Sequence, residues 1–198
     1  MKRPVFLGLL TLAIIVAGTL SWVLFPPNET RRASAPPAVG GPFTLVDHTG
    51  STVTDANFRG RYLLIFFGYT YCPDVCPTTL QTVVDAMEGL GTDARQVQPV
   101  FISVDSGRDG PDVMKLYVEA FGGKIAGLSG NAEQIAAVAK AYGAYFAKVP
   151  NPDGGPDDYL MNHSAIVYLM GPDGGFMRHF SYGVTAEEMA AAIRKIVG

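Results

Sequence analysis

Tyr62-Leu63-Leu64-Ile65-Phe66-Phe67-Gly68-Tyr69-Thr70-Tyr71-Cys72-Pro73-Asp74-Val75-Cys76-Pro77 is the stretch that decides the fold. Its first part, Tyr62 to Phe67, is continuously apolar, β-branched or aromatic, and is closed by Gly68, as expected of a strand buried on both faces. After it, Leu80, Val83, Val84 and Met87 recur at the 3.6-residue period of an amphipathic helix. Pro77 suits the first helical position, where a missing N–H forfeits no hydrogen bond. Both cysteines are therefore expected at or just before a helix N-terminus, where unpaired N–H groups and the helix dipole favour thiolate over thiol.

Paired thiols between a buried strand and a helix form the thioredoxin-type arrangement, here with three residues between the cysteines instead of two. The wider spacing suits gripping a metal better than closing a compact, cycling disulfide. Two more strands buried on both faces are expected at Val97–Val104 and Ala165–Met170. Phe43–Val46 and Thr52–Thr54 flank the turn Asp47-His48-Thr49-Gly50 and predict a hairpin. Phe176–Tyr182 alternates after Gly171-Pro172-Asp173-Gly174, making Ala165–Tyr182 a second hairpin. Helical periodicity recurs at Val113–Ala120 and from Asn131 to Tyr142, and Thr185-x-x-Glu188 is a capping box ahead of Met189, Ile193 and Ile196. The order predicts an α/β domain with a mixed central sheet, an N-terminal hairpin extension and helices on both faces. Asn151–Asp158, rich in Pro, Gly and Asp, reads as a surface loop.

Upstream the pattern changes. Val5–Phe25 contains no charge and is almost wholly apolar. As a helix it would reach roughly 31 Å, enough to cross a bilayer core. Pro26-Pro27 ends it. A cleaved signal peptide is the competing reading, but Ala33-Ser34-Ala35 stands too far beyond the apolar run to serve as its cleavage site. The expected organisation is a cytoplasmic tip (1–4), a transmembrane anchor (5–25), a linker (26–40) and a globular domain (41–198). Lys2 and Arg3 favour an N-inside, single-pass topology, weakened by Arg31 and Arg32 on the other flank. The absence of an Arg- and Ser-rich presequence favours a bacterial inner membrane, with the domain facing the periplasm.

Composition narrows the function classes. With 48% hydrophobic and 17% charged residues, disorder is excluded for most of the chain. The formal charge is −3, and the first 32 residues are net basic, so the remainder is more acidic still and argues against nucleic acid as a partner. Two cysteines exclude a disulfide-rich scaffold and a four-cysteine zinc site. A structural disulfide is the bland reading of an extracytoplasmic pair, but closing so small a loop removes little unfolded-state entropy.

Two thiolates leave a soft metal in need of a third donor. His48 falls in a predicted turn and reads as solvated. His179 is opposite in phase to Phe176, Phe180 and Tyr182 on its strand and is expected to face outward. His163 directly precedes a buried strand and follows the Asn151–Asp158 loop, a setting that fits a structural histidine as well as a ligand. If it is a ligand, its position beyond that loop predicts an imidazole that stands away from the sulfurs in some metal-free molecules.

Gly41-Pro42-Phe43, Phe67 to Pro77, Phe101-Ile102-Ser103-Val104-Asp105 and Asn162-His163-Ser164 together resemble the Sco/SenC family, membrane-anchored copper proteins of thioredoxin-like fold that act in cytochrome c oxidase assembly. The resemblance runs from about Gly41 to the C-terminus. It implies that Cys72, Cys76 and His163 are the three ligands of one copper ion, Cu(I) or Cu(II). Asn162 stands where relatives usually have Asp, and Tyr71 where they often have His. After Asp105, the usual Pro-Glu-Arg-Asp is Ser106-Gly107-Arg108-Asp109, so Arg108 and Asp109 are retained. The implied role is a metallochaperone more than an enzyme. It would take copper from a periplasmic donor and deliver it to the oxidase, at the dinuclear centre of subunit II or a related acceptor. The alternative is a thiol–disulfide oxidoreductase in which Cys72 and Cys76 reduce the acceptor's cysteines. A thiol peroxidase is a weaker rival, since no polar group that would support a peroxidatic cysteine is identifiable.

Overall fold

The computed structural model describes residues 39–155 and 158–198. The expected tip, the anchor and all but the end of the linker lie outside them. No helix among the described residues is long and apolar enough to cross a membrane.

Nine strands and four α-helices follow one another in the described chain. They are β1 (Thr44–Asp47), β2 (Thr52–Thr54), β3 (Tyr62–Gly68), α1 (Val75–Leu90), β4 (Val97–Ser103), α2 (Pro111–Glu119), β5 (Ala126–Ser129), α3 (Ala132–Tyr142), β6 (Phe146–Pro150), β7 (Tyr159–His163), β8 (Ile166–Met170), β9 (Phe176–Ser181) and α4 (Ala186–Val197). Seven strands form one sheet in the order β2-β1-β5-β4-β3-β8-β9, and β6 pairs only with β7. β3, β4 and β5 run parallel, whereas β1, β8 and β9 pair antiparallel with their neighbours. The sheet is mixed, and the N-terminal hairpin extends one edge of it, as expected.

Strand β3 sits in the middle because its sequence can be covered on both sides. Leu63 through Gly68 are all buried. Successive residues on a strand point to opposite faces. Phe66 stacks on Phe101, which meets Tyr117 of α2, while Phe67 meets Tyr142 of α3. Helices therefore seal both faces. α3 and α4 each open with a complete capping box, Asn131 with Gln134 and Thr185 with Glu188, which satisfies two otherwise orphaned N–H groups per helix.

Two expectations change, and a third gains detail. Ala126–Ser129 is a strand, β5, that apolar patterning did not indicate. The surface loop expected at Asn151–Asp158 connects β6 to β7, and its two ends are joined: the Asn151 N–H donates to the Asp158 carbonyl at 2.9 Å and the Asn151 amide to its carboxylate at 2.6 Å. On β9 a register shift opposite Leu169/Met170 breaks the simple alternation. His179 does face outward, but exposed Phe176 stacks on it, with centroids 6.4 Å apart, instead of turning into the core.

Candidate metal centre

The parallel register of β3 with β4 brings the carboxyl ends of both strands together, Gly68 opposite Ser103. Open α/β sheets place their sites outside such strand ends. From β3 the chain turns through Thr70 and Tyr71 to Cys72, which is half-buried, and enters α1 at Val75. Cys76 lies in the first turn of the helix, with no exposure to solvent. Pro77 is the third helical residue and not the first, because Asp74 already caps the helix with its carbonyl, accepting from the Thr78 N–H at 3.1 Å. The proline is tolerated there because the first four N–H groups of a helix have no intrahelical acceptor.

Both cysteines are free thiols. The Cys76 N–H points at the Cys72 Sγ, 3.4 Å away. Gly68 makes room for the inner sulfur: a Cβ there would stand 2.6 Å from the Cys76 Sγ and 2.7 Å from the Phe101 ring. The two thiols divide one proton unequally. The hydrogen bond from Cys76 lowers the pKa of Cys72 most, outweighing its desolvation. His163 and the N–H groups of Asp74 and Cys76 lower it further. The same sharing, with burial, pushes Cys76 up. The expected thiolate at the helix start is thus Cys72, with Cys76 holding the proton.

His163 ends β7, opposite Phe146 of β6. Its Nε2 lies 3.3 Å from the Cys76 Sγ, and its Nδ1 is 3.2 Å from the Ser164 carbonyl. Phe66 and Tyr69 meet the ring edge-on at 5.9 and 5.7 Å. The imidazole is therefore already beside the sulfurs in this structure. Among the described residues, Cys72, Cys76 and His163 are the one group of three or more potential metal donors, with donor atoms all within 4.8 Å of one another. Two sulfurs and an imidazole at this spacing suit a soft or borderline cation. His48 and His179 take no part. The His48 Nδ1 accepts the Gly127 N–H at 3.2 Å and so helps hold β5 to the N-terminal hairpin.

The supporting residues escaped the sequence reading as a group. Buried Asp109 accepts the Thr70 N–H and hydroxyl at 2.9 and 2.6 Å and the Ser103 hydroxyl at 2.5 Å, pinning the segment that leads to Cys72. Buried Asp105 accepts the Tyr159 hydroxyl at 2.7 Å and the Arg108 Nε at 2.5 Å. Burial, followed by that hydrogen bond to a carboxylate, raises the Tyr159 phenol to about 12. The retained pair Arg108-Asp109 was the one sequence signal that pointed here.

A family model described as SCO1/SenC matches residues 31–198. The chain is 40% identical over 168 residues to the human protein called SCO1 homolog, mitochondrial, a match covering 84% of this chain and 55% of that protein. It is 39% identical to the protein SenC of Rhodobacter capsulatus, covering 91% of this chain and 84% of that one. Its structure is similar to that of Bradyrhizobium japonicum ScoI, described as having copper bound, with a TM-score of 0.73 and 47% identity, covering 80% of this chain and 99% of the other.

Proposed function

This chain belongs to the SCO1/SenC family, and on that premise we propose that it is a membrane-anchored copper metallochaperone of cytochrome c oxidase assembly, holding one copper ion on Cys72, Cys76 and His163. The observation that carries this reading is the convergence of the two sulfurs and the imidazole within 4.8 Å. Soft thiolates favour Cu(I), and the added imidazole nitrogen makes the set acceptable to Cu(II) as well. Cys72 is partly open to solvent, which suits exchange of the ion with an incoming thiol pair, whereas buried Cys76 suits retention. The acceptor in this reading is the dinuclear copper centre of oxidase subunit II or a related protein, and the donor is a periplasmic copper carrier. Residues 5–25 supply the single-pass anchor in a bacterial inner membrane, with the domain in the periplasm.

The unequal sharing of a proton by the two thiols supports a second reading, a thiol–disulfide oxidoreductase. Cys72 would attack the acceptor's disulfide and Cys76 would resolve the mixed disulfide, leaving Cys72–Cys76 oxidised and the acceptor's two thiols reduced.

One experiment separates the two. Copper is titrated into the reduced full-length chain in detergent, and the same preparation is assayed on a protein disulfide. One equivalent bound with a negligible reduction rate supports delivery, and the reverse supports the reductase. His163→Ala should weaken Cu(II) by at least about tenfold and Cu(I) much less, since Cu(II) depends more on nitrogen donors. Unchanged Cu(II) spectra in that variant would remove His163 from the ligand set.

A further inference from the structure

Arg108 lies between the two segments that carry the sulfurs and the imidazole. Its guanidinium carbon is 4.7 Å from the centre of the Tyr71 ring and 3.6 Å from that of Tyr159. Tyr71 immediately precedes Cys72, and Tyr159 begins the strand that ends in His163. The head group is held in orientation by the Asp105 carboxylate at Nε and by the Tyr159 carbonyl, 3.0 Å from Nη1. Asp105, only 3% exposed, also takes the Tyr159 hydroxyl, so ring and cation are tethered to one carboxylate. Tyr71 is 62% exposed, so little besides this stack fixes its ring. β6 and β7 pair with no strand of the main sheet, so backbone hydrogen bonding to that sheet does not fix β7 either.

Building on the three-ligand reading above, we infer that Arg108 is a positioning residue: stacked against Tyr71 and Tyr159, it clasps the cysteine loop to the histidine strand and sets the reach of the imidazole to the sulfurs. A planar, delocalised cation can lie against aromatic faces while its edge bonds a carboxylate, which a lysine ammonium cannot reproduce. Residues that orient a metal ligand in this way typically alter metal affinity by about 10- to 100-fold when lost.

A plainer role for Arg108, neutralising buried Asp105, predicts no effect of Tyr71. The deciding variant is therefore Tyr71→Leu, which removes an exposed ring and leaves the Asp105–Arg108 pair intact. Tyr71→Phe keeps the ring, and Arg108→Lys keeps the charge without the plane. In the metal-free full-length chain, Tyr71→Leu and Arg108→Lys should speed amide exchange of residues 159–163 by roughly tenfold, and Tyr71→Phe should not. With copper, the first two should shift the thiolate-to-Cu(II) absorption band and weaken Cu(II) by about tenfold, leaving Cu(I) stoichiometry unchanged. Exchange and band in Tyr71→Leu indistinguishable from the parent chain would overturn the clasp. Failure of the parent chain to bind copper would overturn the three-ligand reading instead, and the exchange result alone would then decide the clasp.

Discussion

The cysteine loop and the histidine hairpin face each other across 3.3 Å, but they are held by different physics. The loop is rooted in the core. It leaves a strand buried on both faces, enters a sixteen-residue helix, and is pinned between them by buried Asp109. The hairpin lies beside the seven-stranded sheet without joining it. Side chains attach it: Tyr159 to Asp105 and Arg108, and the imidazole against Phe66 and Tyr69. The sulfurs thus inherit the stability of the whole domain, whereas the nitrogen depends on a handful of local contacts. A centre built in this way can alter its third ligand at small cost to the fold.

The contrast can be broken at its strongest point first. Asp109→Ala leaves the Thr70 N–H and two hydroxyls without their acceptor and should cost about 3 kcal/mol, read as a lowered urea midpoint. A loss confined to copper affinity, with the midpoint unchanged, would mean that the loop is not rooted in the core as described. Next is the asymmetry of the thiols. A depressed pKa keeps the Cys72 thiolate populated as pH falls, so near pH ~6 iodoacetamide should label Cys72 roughly 100-fold faster than Cys76. Equal labelling of both by mass spectrometry would refute the unequal sharing of the proton. The smallest effect belongs to the hairpin. Leu160→Thr alters a side chain 52% exposed on β7 and should shift global stability by no more than about 0.5 kcal/mol. A loss several times larger would show that the hairpin is as deeply integrated as the loop.

The same division explains what the sequence disclosed. β3, β4 and β8 were legible because strands covered on both faces must be apolar without interruption. β5 was not, since Ala126-Gly127-Leu128-Ser129 lacks a β-branched or aromatic signal, and Gly127 is small for a reason that only packing reveals: a Cβ there would stand 2.9 Å from the Val118 side chain. β7 alternates in burial from Tyr159 to Met161, but apolar Leu160 on its outer side hides the period, and Pro150 argues against a strand in its partner. The thiol pair could be read from spacing alone. The third donor could not, because nothing in the order of residues places His163 beside a cysteine 87 positions away; the family resemblance named it, and the fold brought it there. Arg108 and Tyr159 are separated by 51 positions and met only in three dimensions.

That 87-residue separation also sets an order of events in synthesis. Cys72 and Cys76 leave the ribosome together, close enough to form a two-sulfur ligand in the unfolded chain. The imidazole follows only after α1, β4, α2, β5, α3 and β6 have been made. Closing so long a loop carries an entropic cost that an unfolded polypeptide cannot recover from one metal–nitrogen bond and must recover from collapse of the sheet. A nascent chain therefore offers a metal ion two thiol groups, and a folded one adds a nitrogen donor. Completeness of the ligand set is therefore a consequence of completeness of folding.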